Sequence, residues 1–224
     1  MSIIQKLAPQ VVNKIAAGEV VQRPASVVKE LLDNAIDAGA DRIELELAQA
    51  GKSLIQITDN GCGMSKEDLP LCFRRHATSK INSVDDLFRI RTLGFRGEAM
   101  ASIASVSQVS VKTKRAGDEN GWEFEVWGGE EKEIKPTAVD DGTTIAVRNL
   151  FFNVPARRQF LKTDVTELRH ILRTVQYAAL ANTDVAFYLD ADGDVIYDLP
   201  VQSLKDRVTQ IFGSSYKASL IEFE

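Results

Sequence analysis

Residues 28–39 read VKELLDNAIDAG, and no other part of the sequence is as informative. At a helical period of about 3.6 residues, Glu30, Asn34 and Asp37 project within one narrow sector, while the apolar residues occupy the other side. A carboxylate and a carboxamide one turn apart both present oxygen, which suits a water molecule and a divalent cation. Most polar stripes are only solvated helix faces, so the function of this one depends on its context in the chain.

The composition indicates an ordinary globular protein. The chain has 224 residues, of which 44% are hydrophobic and 26% charged. This is enough for one large domain or for a domain plus a fragment. The net charge of −5 argues against a dedicated duplex-DNA module, because such modules usually carry a basic excess, although it is compatible with a local basic patch.

The cysteines and the N-terminal residues indicate the cellular compartment in which the protein is expected. The two cysteines form no C-x-x-C pair, so neither a zinc site nor a disulfide framework is expected. The N-terminal residues lack the profile of a signal peptide, and no apolar run is long enough to span a bilayer. We therefore expect a soluble, intracellular protein with reduced thiols and no membrane partner.

The predicted elements alternate between helices and strands. One helix begins at Pro24 and stops at Gly39. Further helices are expected at 9–20, 98–106, 163–180 and 204–211, and strands at 42–47, 53–58, 107–114, 121–127, 131–135, 143–149, 184–190 and 195–199. A long irregular segment, 74–97, is typical of a functional or mobile region.

Two short motifs are misleading. Residues 51–53, GKS, match the end of a Walker A loop, but the glycine that should begin the motif is Glu46, so a hairpin turn is the better interpretation. Residues 190–194, DADGD, resemble the start of a calcium loop. The glycine and glutamate that such a loop requires are Val195 and Val201, so this segment is also predicted to be a turn.

Three glycine-containing segments offer groups that could contact a ligand, although each alone is weak evidence. Asp59, at the end of an apolar strand and followed by two glycines, can accept a hydrogen bond from an amino group on a flat ring. Residues 94–99, GFRGEA, lead into a helix whose N-terminal amides attract phosphate. Residues 142–144, GTT, offer a hydroxyl and backbone amides at the start of a strand.

In this order, the segments resemble the GHKL ATPases, which include gyrase B subunits, sensor histidine kinases and ATP-driven heat-shock chaperones. The sequence is most similar to the MutL family of DNA mismatch-repair ATPases. The similarity runs from about residue 7 to 160 and continues weakly to the end. The motifs that carry this similarity are IAAGEVV (15–21), RPASVVKEL (23–31), DNGCG (59–63), RHATSK (75–80), GFRGEA (94–99) and PARR (155–158).

The resemblance implies an ATPase site that uses ATP and Mg²⁺. Glu30 would be the general base for the attacking water, Asn34 would coordinate Mg²⁺, and Asp59 would receive the adenine amino group. Asp33 stands where this family commonly has glutamate. The implied nucleotide-binding residues are Asn34, Ala38, Asp59, Gly63, Thr78, Ser79, Lys80, Leu93, Gly94, Phe95, Arg96, Gly97, Glu98, Ala99 and Thr143. Those from Thr78 to Lys80 and from Gly94 to Ala99 would form a lid around the phosphates.

The resemblance also implies a fold and a domain organisation. The fold would be the α/β sandwich of GHKL (Bergerat) ATPases, with a mixed, mostly antiparallel sheet and helices on one face. Residues 1–200 would form the ATPase domain, and residues 201–224 would begin a truncated second, transducer-like domain. The family places a lysine that touches the terminal phosphate in that second domain, so this chain is expected to hydrolyse ATP weakly.

The implied partners are a second copy of the chain and the mismatch-recognition protein MutS, in the bacterial cytoplasm and near the nucleoid during repair. Residues 9–22 resemble the arm that exchanges between subunits, although such a helix ordinarily packs on its own domain. DNA binding would be weak and non-specific. Arg157, Arg158, Arg169 and Arg173 are candidates for it, although solvated surface arginines are the commoner case. Alternatives are a chaperone or topoisomerase ATPase module, or a nucleotide-binding module without hydrolysis.

Overall fold

The amphipathic segment after Arg23 forms the first long helix, α1 (Pro24–Asp37), in a computed structural model that describes Gln5 and residues 17–80, 92–94 and 97–216. Pro24 lies in the first turn, where a missing N–H is tolerated. Gly39 follows the helix with a φ of +74°, which favours glycine. The sequence predicted both ends of this helix.

The remaining elements follow the predicted order closely. The helices are α2 (Asp68–Leu71), α3 (Ala99–Val106), α4 (Pro155–Phe160), α5 (Asp164–Ala181) and α6 (Leu204–Phe212). The strands are β1 (Arg42–Ala48), β2 (Leu54–Asp59), β3 (Gln108–Lys114), β4 (Gly121–Trp127), β5 (Glu130–Glu131), β6 (Lys135–Thr137), β7 (Gly142–Arg148), β8 (Ala186–Ala191) and β9 (Asp194–Leu199). Residues 17–20 are helical, and the rest of the predicted arm before residue 17 lies outside the described residues.

The strands form one open sheet in the order β5-β4-β3-β7-β2-β1-β8-β9, and β6 also pairs with β4. The β1–β8 pair is parallel, and the other strand pairs of the described chain are antiparallel. This is the mixed, mostly antiparallel sheet that the sequence predicted.

The two faces of the sheet differ in polarity. One face is apolar and is buried in a core shared with α1 and α5; it includes Ile43, Leu45, Leu47, Ile55, Ile57, Val109, Val111, Phe187 and Leu189. The opposite face carries polar pairs, such as Gln56 donating to Glu46 over 3.1 Å and Lys112 lying 3.8 Å from Glu123. The sheet therefore has its helices on one face, as expected.

The two misleading motifs lie in turns, as predicted, and one predicted strand is wrong. A turn at Gln49–Gly51 joins the antiparallel strands β1 and β2, and another turn joins β8 to β9, so both motifs lie in hairpins. The predicted strand 131–135 is wrong. It is replaced by two short edge strands, because β5 pairs with one end of β4 and β6 pairs with the other.

Helix α6 is fixed to the rest of the fold by a buried arginine. The Arg207 side chain is fully buried, and its guanidinium donates to the carbonyls of Ala179, Thr183, Val185 and Pro200 over 2.8–3.3 Å. It thereby satisfies carbonyl groups at the end of α5 and around β8. The proposed domain boundary at residue 200 stays a prediction. No helix in the described part of the chain is both long enough and apolar enough to cross a membrane.

Candidate functional site

A buried carboxylate lies at the end of the central strand β2. Asp59 is 8% exposed, and its Oδ1 accepts a hydrogen bond of 2.9 Å from the Gly61 N–H. Burial raises the pKa of this carboxyl group to about 6, against the opposing effect of that hydrogen bond. A carboxylate that accepts so few hydrogen bonds from the described residues is available to a ligand that donates.

Two threonines extend this polar site across the sheet. Asp59 lies opposite Thr143 in the β2–β7 ladder, and Thr143 lies opposite Thr113 in the β3–β7 ladder. Residues paired in this way place their side chains on the same face of the sheet. Thr143 is 8% exposed and Thr113 is fully buried, with 3.0 Å between their hydroxyl oxygens. The three side chains therefore form one row on the buried face.

The backbone around this row is packed so closely that two positions require glycine. Gly63 has a φ of +64°, and a Cβ there would lie 2.2 Å from the Lys114 carbonyl oxygen. Gly142 has a φ of +120°, and a Cβ there would lie 2.1 Å from the Asp59 carbonyl oxygen. The loop after β2 is tied to α1 by a bond of 3.0 Å from the Cys62 N–H to the Ala38 carbonyl. Ala38, Asp59, Gly63 and Thr143 are thus neighbours in the structure, and their role in nucleotide binding stays a prediction.

The polar stripe of α1 meets a lysine from the segment after α2. Lys80 Nζ lies 2.9 Å from Asn34 Oδ1 and 2.6 Å from Asp37 Oδ2. Both α1 side chains therefore direct an oxygen at the same positive charge. Glu30 is half-buried one turn before Asn34 on the same stripe. Asp33 instead pairs with Lys29 at 2.5 Å.

Asp37 contacts three residues of the predicted nucleotide-binding set. Its two carboxylate oxygens accept the Leu93 N–H over 3.0 Å and the Gly94 N–H over 3.1 Å, in addition to the bond from Lys80. Burial alone would raise the pKa of Asp37, but these three hydrogen bonds together hold that pKa below its usual value. A single carboxylate therefore connects α1 to two segments of the chain that are distant in sequence.

The other described residues of the predicted lid belong to the same two segments of the chain. Thr78 Oγ1 accepts the Lys80 N–H over 3.1 Å, and Ser79 is exposed. The Gly97 carbonyl accepts the His76 N–H over 3.0 Å. Glu98 immediately precedes α3, whose first residue is Ala99. Phe95 and Arg96 were also predicted for this site, and they lie outside the described residues.

The donor set suits one kind of metal ion. Within the described residues, no group of three or more histidine, cysteine, aspartate or glutamate side chains could hold a metal ion. Mg²⁺, however, is commonly bound by one or two protein oxygens together with substrate phosphates and water. The Asn34 amide oxygen, already directed at a cationic ammonium group, fits that requirement.

Two residues of the site were not identified from the sequence. Asp37 belongs to the predicted polar stripe, but its lid partners are 43 to 57 residues away in the chain. Thr113 is a hydroxyl residue at a position of β3 where the strand alternation places Val109 and Val111 in the core. That alternation was the available signal, since a polar residue in the buried register of a strand needs a partner.

Comparisons with known proteins agree with this geometry. Residues 22–143 match the family of histidine kinase-, DNA gyrase B- and HSP90-like ATPases. The chain is 55% identical over 223 residues to the DNA mismatch repair protein MutL of Chloroherpeton thalassium, and 52% identical over 219 residues to that of Porphyromonas gingivalis. These alignments cover 100% and 98% of this chain and 35% of each relative, so the chain spans about a third of their length.

The solved structures give the same result. The MutL ATPase domain of Aquifex aeolicus complexed with ADP superposes with a TM-score of 0.70 and 34% identity, covering 86% of this chain and 70% of that one. The chain therefore belongs to the GHKL-type ATPases, the class that its sheet and buried carboxylate define, and within them to the MutL family of DNA mismatch-repair proteins.

Proposed function

We propose that the chain is an ATP-binding and slowly hydrolysing switch module of DNA mismatch repair, with a requirement for Mg²⁺ and a lid that closes over the nucleotide. The observation that carries this proposal is the two-ended site. Asp59 and Thr143 supply acceptors for a base at one end, and Asn34, Asp37 and Lys80 supply polar and charged groups for phosphates at the other. The ADP complex of the related Aquifex aeolicus domain supports an adenine nucleotide as the ligand.

At the base end, the Asp59 carboxylate accepts a hydrogen bond from the adenine amino group. Its burial, at 8% exposure, keeps water from competing strongly for the same oxygen atoms. Gly63 and Gly142 allow the backbone beside it to pack without side chains. This end of the site provides affinity and orientation.

At the phosphate end, Glu30 holds the attacking water and takes its proton at a carboxylate oxygen, and Asn34 presents its amide oxygen to the metal. When bound, Mg²⁺ supplies the neutralisation of phosphate charge that phosphoryl transfer requires. Lys80 offers positive charge to the phosphate oxygens, because its ammonium group carries a third proton besides the two directed at Asn34 and Asp37. The Leu93 and Gly94 amides donate to Asp37, so this carboxylate positions the lid relative to α1.

Two variants separate binding from hydrolysis. Glu30→Ala should bind ATP normally and lose most turnover, by about 10²–10⁴-fold for loss of a general base. Asp59→Asn should lose binding, because it replaces an acceptor by a group that can turn a donor towards the amino group. Glu46→Gln, on the polar face of the sheet, is the matched control.

Phosphate release with and without Mg²⁺, together with calorimetric titration of ATP, measures both steps. Unchanged turnover in Glu30→Ala would overturn its assignment as the base. Binding without any phosphate release in the parent chain would instead indicate a nucleotide-binding module without hydrolysis.

The wider role is proposed for the longer protein of which such a module forms part. ATP would drive dimerisation through the N-terminal arm, and the dimer would signal to the mismatch-recognition protein MutS in the cytoplasm. Weak, non-specific DNA contact would use Arg158, Arg169 and Arg173, which are exposed. Sedimentation of this chain with a non-hydrolysable ATP analogue should show at most weak dimers, so a stable dimer with rapid turnover would contradict the proposal.

A further inference from the structure

The Thr113 hydroxyl is the most constrained polar group beside the base end of the site. Thr113 is fully buried in β3. Its Oγ1 lies 2.9 Å from the Met64 N–H donor, 2.9 Å from the Gly142 carbonyl oxygen and 3.0 Å from Thr143 Oγ1. One hydroxyl therefore joins the loop after β2, the start of β7 and the side chain of Thr143.

The direction of each hydrogen bond follows from the chemistry of the partners. The Met64 N–H only donates, so the Thr113 oxygen accepts there. The Gly142 carbonyl only accepts, so the single Thr113 proton is directed to it. The bond between the two threonines must then be donated by Thr143. The Thr143 hydroxyl is left with lone pairs alone for any further partner.

We propose that Thr113 is a positioning residue that fixes the Thr143 hydroxyl as an acceptor and so makes the base end of the site selective for an amino group. This inference rests on the proposed function and deepens it. Asp59 lies directly opposite Thr143 in the ladder. The row therefore presents acceptors from two adjacent strands and no hydroxyl proton.

The ligand class that this arrangement selects is a 6-aminopurine nucleotide. The amino group of adenine carries two hydrogens, and a row of acceptors satisfies it. A 6-oxopurine such as hypoxanthine presents a carbonyl oxygen at the same position, where lone pairs oppose it. Its N1–H is a donor that Asp59 can accept, so the discrimination at position 6 comes from the group that faces Thr143. A Thr143 hydroxyl that was free to rotate could instead donate its proton to the carbonyl oxygen. By holding this proton, Thr113 weakens the binding of 6-oxopurines.

The test compares ADP with IDP, whose base is hypoxanthine, by calorimetric titration in Mg²⁺ at pH 8, where Asp59 is ionised. Thr113→Val removes the hydroxyl at nearly constant shape. The ratio of IDP to ADP dissociation constants should fall roughly fivefold, the equivalent of one ordinary hydrogen bond. Thr113→Ser should restore the ratio. Thr144→Val is the matched control, because its hydroxyl faces Thr58 at 3.2 Å on the opposite side of the same strand.

A second variant covers the case in which Thr113→Val fails to fold. Thr143→Val removes the hydroxyl that Thr113 is inferred to orient, so it should also lower the IDP to ADP ratio, with Thr143→Ser restoring it. An unchanged ratio in a folded Thr113→Val protein, or in Thr143→Val, would overturn the inference while ADP binding by the parent chain upheld the proposed function. Absence of ADP binding by the parent chain would overturn both.

Discussion

Replacing Asp59 by asparagine is expected to stabilise the fold while it destroys the nucleotide site. Asparagine has nearly the same shape, and its Oδ1 can still accept the Gly61 N–H, so the substitution removes a charge and little else. Burial raises the pKa of Asp59 from 3.8 to about 6. Above that pH the native state therefore carries an ionised group that its surroundings disfavour.

The size and pH dependence of the effect follow from that pKa. A rise from 3.8 to about 6 corresponds to about 3 kcal/mol of unfolding free energy. At pH 8 the Asp59→Asn variant should be more stable than the parent by up to that amount. As the pH falls below 6, the carboxyl group takes up a proton in the native state before it does so in the unfolded state. The unfolding free energy of the parent therefore rises towards that of the variant, and the difference between them disappears near pH 4.

Urea unfolding of both proteins at pH 8 and pH 4 measures this difference. Other carboxyl groups titrate alike in the two proteins, so their contributions cancel. Asp140→Asn, at an exposed carboxyl group on the loop before β7, is the matched control. Equal or lower stability of Asp59→Asn at pH 8 would refute the reasoning, and normal ATP affinity in that variant would refute the role of the carboxylate in binding.

Three further outcomes follow from particular contacts. Gly142→Ala should lower the unfolding free energy and weaken ATP binding, because a Cβ there would lie 2.1 Å from the Asp59 carbonyl oxygen. Gly193→Ala is the control, because Gly193 has a φ of +89° and a Cβ there would have nothing within 4 Å. This control should show only a backbone strain of about 1–3 kcal/mol and should bind ATP normally. Arg207→Met should destabilise the chain in urea unfolding, because it removes the donor of four carbonyl groups, at about 1–3 kcal/mol for each one left buried without a partner. The exposed Arg158→Met should have little effect. Asp37→Asn should speed hydrogen exchange of the two lid amides that it accepts, and unchanged exchange would contradict its anchoring role.

Local sequence patterns predicted most of the fold. The period of α1, with Pro24 and Gly39 at its ends, located that helix accurately, and alternation located most strands. The segment 131–135 failed because short edge strands are defined by their partner rather than by their own residues. Strand order was likewise beyond local patterns, since the β1–β8 pairing depends on where the chain returns.

Some residues of the candidate site could be predicted from the sequence, and others could not. Family resemblance supplied roles for Glu30, Asn34 and Asp59. The structure places Asp59 beside Thr143 at the end of β2, and Asn34 beside Lys80 on α1. Asp37 and Thr113 acquire their importance only from partners far away in sequence. A helical stripe or a strand register indicates that such a residue faces inwards, but not which donor meets it.

The parallel pairing of β1 with β8 also bears on how the molecule is made. Arg42 aligns with Ala186, so two strands from nearly opposite ends of the described chain are neighbours. Contacts of such wide separation are slow to form, because a long loop must close first. During synthesis, the edge of β1 that pairs with β8 would remain open until β8 had left the ribosome.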